Sequence, residues 1–154
     1  MKRLLSVFLG ATILLACSDG PVEPPLEQGV FGTVEFWSGD FMPVTDPDAP
    51  SGSVEPVERT LYVFAGAAFD DVVVDPQRGS GFYLDVHTRL IDSARSHADG
   101  SYRIALPAGA YSVFVREFDR YYASTSNGTH IGGVRVDSGE AVEHVVKITY
   151  KATF

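Results

Sequence analysis

From residue 30 onward apolar residues recur at every second position, and no window of a dozen residues keeps the three-to-four spacing of a helix. Val30, Gly32, Val34 and Phe36 share one face of a first strand. Leu61, Val63 and Ala65 share a face of a second, and Phe82, Leu84 and Val86 of a third. Tyr102, Ile104 and Leu106 alternate with Ser101, Arg103 and Ala105, while Tyr111, Val113 and Val115 alternate with Ser112, Phe114 and Arg116. The final stretch is the longest. Val142, His144, Val146, Ile148, Tyr150, Ala152 and Phe154 face one way, and Val145, Lys147, Thr149 and Lys151 the other. Antiparallel strands with one face on a core and one in water produce this alternation.

The connectors fit such strands. Asp99-Gly100 is a two-residue hairpin signal, because both central positions of a type I′ turn need positive φ. In Pro107-Ala108-Gly109 the proline presets φ and the glycine tolerates the left-handed region. Asn127-Gly128 and Asp137-Ser138-Gly139 mark two further turns. About seven short strands at this spacing predict an all-β antiparallel sandwich of two sheets. Two regions do not fit: residues 38–59 hold four prolines, and residues 66–81 mix acids with Val72-Val73-Val74, which suits a loop, an edge strand or a short helix.

The N-terminus reads differently. Met1-Lys2-Arg3 is basic, and residues 4–15 carry no charge. At about 1.5 Å per residue this run covers roughly 18 Å, short of a hydrocarbon core of about 30 Å, so it reads as a signal peptide and not as a membrane span. It ends Leu14-Leu15-Ala16-Cys17, which resembles the lipobox of bacterial lipoproteins, with Cys17 as the lipidated residue. Ser18 follows, with no Asp there to hold the chain at an inner membrane, so outer-membrane sorting is expected. Residues 17–29, with Pro21, Pro24 and Pro25, form an extended tether, and residues 30–154 form the sandwich domain. Two or more acyl chains anchor stably where one does not.

Composition narrows the partners. The formal charge is −8, and removing residues 1–16 with Lys2 and Arg3 makes it −10. Nucleic acid is not expected as a partner, since neutralising phosphates takes a basic surface. The single cysteine excludes an internal disulfide and any cysteine-based metal site.

Residues 98–115, with Asp99-Gly100-Ser101-Tyr102 followed by Leu106-Pro107-Ala108-Gly109-Ala110-Tyr111-Ser112-Val113, resemble the hairpin signature of carboxypeptidase regulatory-like domains. The opening Val30 strand and the closing strand are similar to that family's first and last, so the resemblance spans residues 29–154. Trp37-Ser38-Gly39-Asp40-Phe41-Met42-Pro43 and the closing Ile148-Thr149-Tyr150-Lys151-Ala152 are similar to a lipoprotein subgroup of Bacteroidetes-type bacteria. The resemblance implies a transthyretin-like sandwich serving as an accessory, adhesive or carbohydrate-associated module, without catalysis.

Candidate chemistry is sparse. His87, His97, His130 and His144 stand in no metal-ligand spacing, and no serine sits in a nucleophile elbow. Asp70-Asp71, or Asp46 with Asp48, offer oxygens for acid–base work or calcium, but without the spaced loop of a calcium motif. The only asparagine, Asn127, lies in a turn, which argues against a Lys–Asn isopeptide crosslink. No metal, no cofactor and no enzymatic activity are expected. Aromatics are the remaining signal. Trp37 and Phe41 flank the proline-rich insertion and Tyr121-Tyr122 lie at or near a loop, where exposed rings would contact a ligand. The expected protein is a surface-exposed lipoprotein of a bacterial outer membrane, anchored through acylated Cys17. Its sandwich would be a non-catalytic binding or envelope-structural module, with an envelope protein or a glycan as partner. The alternative is an adhesive or carbohydrate-binding accessory module using the loop aromatics.

Overall fold

The computed structural model describes residues 24–43 and 51–154. Cys17 and the leader lie outside the described residues, as do Asp46 and Asp48. The strands are β1 (Gly29–Asp40), β2 (Ser53–Pro56), β3 (Thr60–Ala65), β4 (Val72–Val74), β5 (Phe82–Val86) and β6 (Leu90–Arg95). They continue as β7 (Ser101–Ala105), β8 (Gly109–Glu117), β9 (Arg120–Tyr122), β10 (Gly133–Val136), β11 (Ala141–Glu143) and β12 (Val146–Thr153). A 3-10 turn covers Phe69–Asp71. No helix among the described residues is long and apolar enough to cross a membrane.

The expected sandwich is present, with twelve strands in two sheets among the described residues. The first sheet is organised around β1. Residues 29–33 pair antiparallel with β7, and residues 29–31 pair parallel with β11 on the other flank. Further along, β1 pairs antiparallel with β2 and parallel with β12. This sheet is therefore mixed and not wholly antiparallel as the alternation suggested. The second sheet runs β4-β5-β9-β8-β3-β6, with β10 beside β8. All its pairs are antiparallel. Residues 66–81 supply the 3-10 turn and the edge strand β4, and residues 38–59 contain the end of β1 and β2.

The main core lies between the sheets, where Val30, Val34, Leu61, Val63, Val115 and Ile148 are fully buried. A second cluster covers the outer face of the larger sheet, built on Phe64, Phe114, Tyr83, Val86 and Ile131. The loop over residues 123–132 closes it, with Ile131 donating its amide to the Ala67 carbonyl at 2.9 Å. Strand β8 is thus buried on both faces. Ser112, expected to face water, is fully buried and accepts the Ala67 amide at 2.9 Å.

The stretch that reads as a hairpin is not one. β7 belongs to the first sheet and β8 to the second, so Pro107–Gly109 carries the chain between layers, and residues 96–100 do the same from β6. Gly100 does hold the positive φ, at +78°, and a Cβ there would lie 2.7 Å from the Val34 carbonyl oxygen. Gly100→Val is accordingly expected to destabilise the fold by about 2–3 kcal/mol, more than an ordinary surface change. An unchanged urea midpoint would show that the corner yields freely.

His144 sits between β11 and β12. Its amide donates to the Phe31 carbonyl at 2.8 Å, and its carbonyl accepts the Tyr102 hydroxyl at 2.6 Å. Burial pushes the imidazole below its ordinary value. The fold therefore favours neutral His144, and the unfolded chain binds the extra proton once pH falls below about 6.5. Stability should be full above that pH and decline as acid carries His144 through its lower folded value. Asp75, held down by the Gln77 amide and Arg120, and Asp99, held down by Ser101, add their acid loss only below the ordinary carboxylate range. Denaturant melts across the mildly acidic range should show a slope that His144→Gln flattens.

Candidate functional site

The site grows from the far end of β1. Alternation turns Phe36 inward, where its ring meets Tyr150 at 5.5 Å, and turns Glu35 and Trp37 outward. Strand pairing sets Lys147 beside Glu35 and Val54 beside Trp37. The indole N–H donates to Glu35 Oε2 at 3.0 Å, and the Lys147 ammonium lies over the indole at 4.8 Å from its centroid. Together these fix the ring from its edge and from one face.

Phe41 follows directly. Its amide donates to the Thr153 carbonyl at 2.8 Å, tying the chain to the end of β12. The Phe41 ring lies 5.0 Å from Trp37 and stacks on Phe154 at 5.5 Å. A Cβ at residue 52 would fall 2.2 Å from this ring, so only glycine admits it. Phe154 remains 66% exposed, and Met42 and Val54 are also exposed. The surface is an ordered aromatic cluster with a carboxylate and an ammonium at its border.

Trp37 and Phe41 are thus brought together, as residue types that favour a contact surface suggested. Tyr121 and Tyr122 are not part of it. Tyr122 is only 2% exposed and packs in the main core, so it offers no ring to a ligand; consecutive strand residues point to opposite faces, and this one points inward. Tyr121 is half-buried on the outer face of the larger sheet, in edge contact with Tyr62 at 5.4 Å and Phe64 at 5.3 Å, beneath Arg116.

Phe154, Glu35 and Lys147 are neighbours of Trp37 and Phe41 that sequence reasoning missed. The alternation assigned Phe154 to the inner face, but the register shifts where Phe36 pairs with Ile148 and Ser38 pairs with Lys151. That bulge reverses the phase of the last residues and delivers Phe154 to the Trp37 side. A second bulge, where Val73 pairs with Asp85 and Val74 with Tyr83, breaks the face that Phe82, Leu84 and Val86 were expected to share: Phe82 enters the main core, Val86 joins the outer cluster, and Leu84 is left 43% exposed.

No family model, curated protein or solved structure matches the chain. Among the described residues no group of three or more His, Cys, Asp or Glu side chains converges to hold a metal. Asp71 serves locally, its carboxylate accepting the Ala68 amide at 2.9 Å. The His87 imidazole lies 3.8 Å from the Asp85 carboxylate, with both side chains exposed.

One more feature shares this end of the sandwich. β8 turns into β9 through Phe118 and Asp119, whose φ values are +49° and +60°. A bulky aromatic in the left-handed region is uncommon and strained. Phe118 is 52% exposed, touches Tyr150 at 5.6 Å, and carries the Arg78 guanidinium 4.2 Å above its ring.

Proposed function

We propose that this chain is a lipid-tethered envelope protein whose β-sandwich is a non-catalytic binding module, working through the Trp37, Phe41 and Phe154 cluster. The observation that carries the reading is the position of that cluster. The tether joins at Gly29, where Gln28 donates to the Leu106 carbonyl at 2.8 Å and accepts the Gly139 amide at 2.7 Å. From there β1 runs to Asp40, a span of about 36 Å at 3.3 Å per residue. One end of a single strand takes the tether and the opposite end offers the aromatic surface. Leu14-Leu15-Ala16-Cys17 supports lipid attachment, and the resemblance of residues 98–115 to carboxypeptidase regulatory-like domains supports an accessory, transthyretin-like role. Trp and Phe that are already ordered cost little entropy on binding, which favours a contact dominated by desolvation over one driven by charge.

Two measurements test the proposal. Cys17→Ser should abolish acyl labelling and release the protein from membranes; continued labelling of the variant would refute the anchor. Trp37→Ala should weaken binding to envelope material of the source cell about fivefold, with little response to moderate salt. Unchanged binding, or a steep loss with salt, would remove the cluster from the contact. An adhesive or carbohydrate-binding module uses the same surface, and competition by soluble glycan distinguishes it from a protein-binding one.

A further inference from the structure

A concavity lies on the other sheet, away from the Trp37 cluster. It is a cup of about 240 Å³ between the 3-10 turn, the turn that precedes β5 and the loop after β9, lined by residues that include Phe69, Ser80, Tyr83 and Thr125. Tyr83 is only 5% exposed, and its hydroxyl makes no hydrogen bond to any described residue. No fully buried side-chain polar atom among the described residues lacks a partner, so this hydroxyl reaches open space, and the cup is the space that Tyr83 lines. Phe69 stands 67% exposed at the cup and stacks on no other ring among the described residues. Gly81 forms part of the wall at a φ of +87°, where a Cβ would press on the Tyr122 ring at 3.0 Å and the Ala123 carbonyl at 3.2 Å.

The cup is built before anything enters it. Ala123 donates its amide to the Gly81 carbonyl at 3.0 Å, and Gly132 donates to Thr125 at 2.7 Å. Asn127 Oδ1 accepts the Thr129 and His130 amides. The Ser124 and Ser126 hydroxyls donate to main-chain carbonyls of Lys147 and His130; Ser126 Oγ also accepts the Gly128 amide at 3.1 Å, which leaves Ser124 as the hydroxyl oxygen with its acceptor capacity unused.

We infer that this cup binds one neutral pyranose, with Phe69 against the apolar face of the sugar and Tyr83 hydrogen-bonded to a ring hydroxyl. Three features select that chemistry. Among the described residues the lining carries no Asp, Glu, Lys, Arg or His although the chain is strongly acidic, which argues against a charged ligand. The volume falls below the range of drug-sized sites and suits a single ring. An exposed aromatic beside several hydroxyls matches a molecule with one C–H face and a polar rim, whereas an apolar side chain would strip water from Tyr83 and return no hydrogen bond. The inference is independent of the tether and of the Trp37 contact.

The test uses the full chain, isotopically labelled, titrated with the methyl pyranosides of glucose, galactose, mannose and N-acetylglucosamine, with cyclohexanol as the apolar control. At least one pyranoside should shift the amides of Gly81 and residues 123–126 without moving those around Trp37. Tyr83→Phe, which keeps the ring contact with Phe114 at 5.7 Å, should weaken that binding about tenfold, and Phe69→Ala should do the same. Absence of shifts with all four sugars overturns the inference. So does cyclohexanol binding equally well, or undiminished binding by both variants. None of these failures touches the proposal for the Trp37 surface.

Discussion

Tyr122→Ala should lower stability by about 3–5 kcal/mol, the range for deleting a buried aromatic. The ring lies 4.7 Å from Phe82 and 5.5 Å from Tyr150, so its removal opens a cavity between the sheets. The hydroxyl has its own task. It accepts the Thr149 amide at 3.1 Å and lies 3.2 Å from the Thr149 hydroxyl, which caps an outward-pointing N–H on the edge of β12. Tyr122→Phe keeps the volume and loses only that cap, for about 1 kcal/mol. The pair of variants separates packing from hydrogen bonding in one urea titration. If the alanine variant unfolds at the wild-type midpoint, the ring is not the core element described.

Glu117→Ala should cost about 2–3 kcal/mol. Glu117 is 6% exposed at the end of β8, hydrogen-bonded by the Arg59 Nε–H and, at 2.8 Å, by the Tyr150 hydroxyl. Truncation leaves both donors facing a space with no acceptor. Loss of one partner from a fully buried pair costs more, but Arg59 is about one-third exposed and water recovers part of its interaction. Glu117→Gln retains an acceptor for Tyr150 and should lose less. Burial first, and then the Glu117 carboxylate, push the Tyr150 phenol above its ordinary value, so the fold favours its neutral form. That contribution is complete below about pH 10 and disappears as alkali carries Tyr150 through its raised folded value. Phenolate absorbance should rise earlier in Glu117→Gln than in the wild type. Identical titrations and identical melts would place the network outside the energetics of the fold.

Much of the strand content was legible because alternation is a local property. Val30, Val34, Leu61, Val63, Ile104, Val113 and Val146 all face the core as their spacing required. The pairing of strands was not legible in the same way. β7 and β8 are neighbours in sequence joined by turn residues, yet their partners come from distant segments in different layers. The double burial of β8 had a signal in the unbroken run Val113-Phe114-Val115, since strands covered on both faces lose alternation. Phe154 could not have been placed with Trp37 without the bulge that reverses its phase. The cup at Tyr83 joins segments some fifty residues apart, each of which reads alone as an ordinary loop.

The pairing of β1 with β12 also sets a timetable for assembly. β1 is the first strand among the described residues, and its parallel partner β12 is the last of them, matched as far as Asp40 with Thr153. A chain that emerges amino-end first exposes Val30 through Trp37 long before that partner exists. Closure must wait until residue 153 is free, because Ile148 fills the core opposite Phe36 only then. Long-range closure of this kind is slow and leaves the waiting strand open to aggregation. Premature termination before β12 therefore yields an open chain and no smaller sandwich, with its earliest strand left unpaired on that flank.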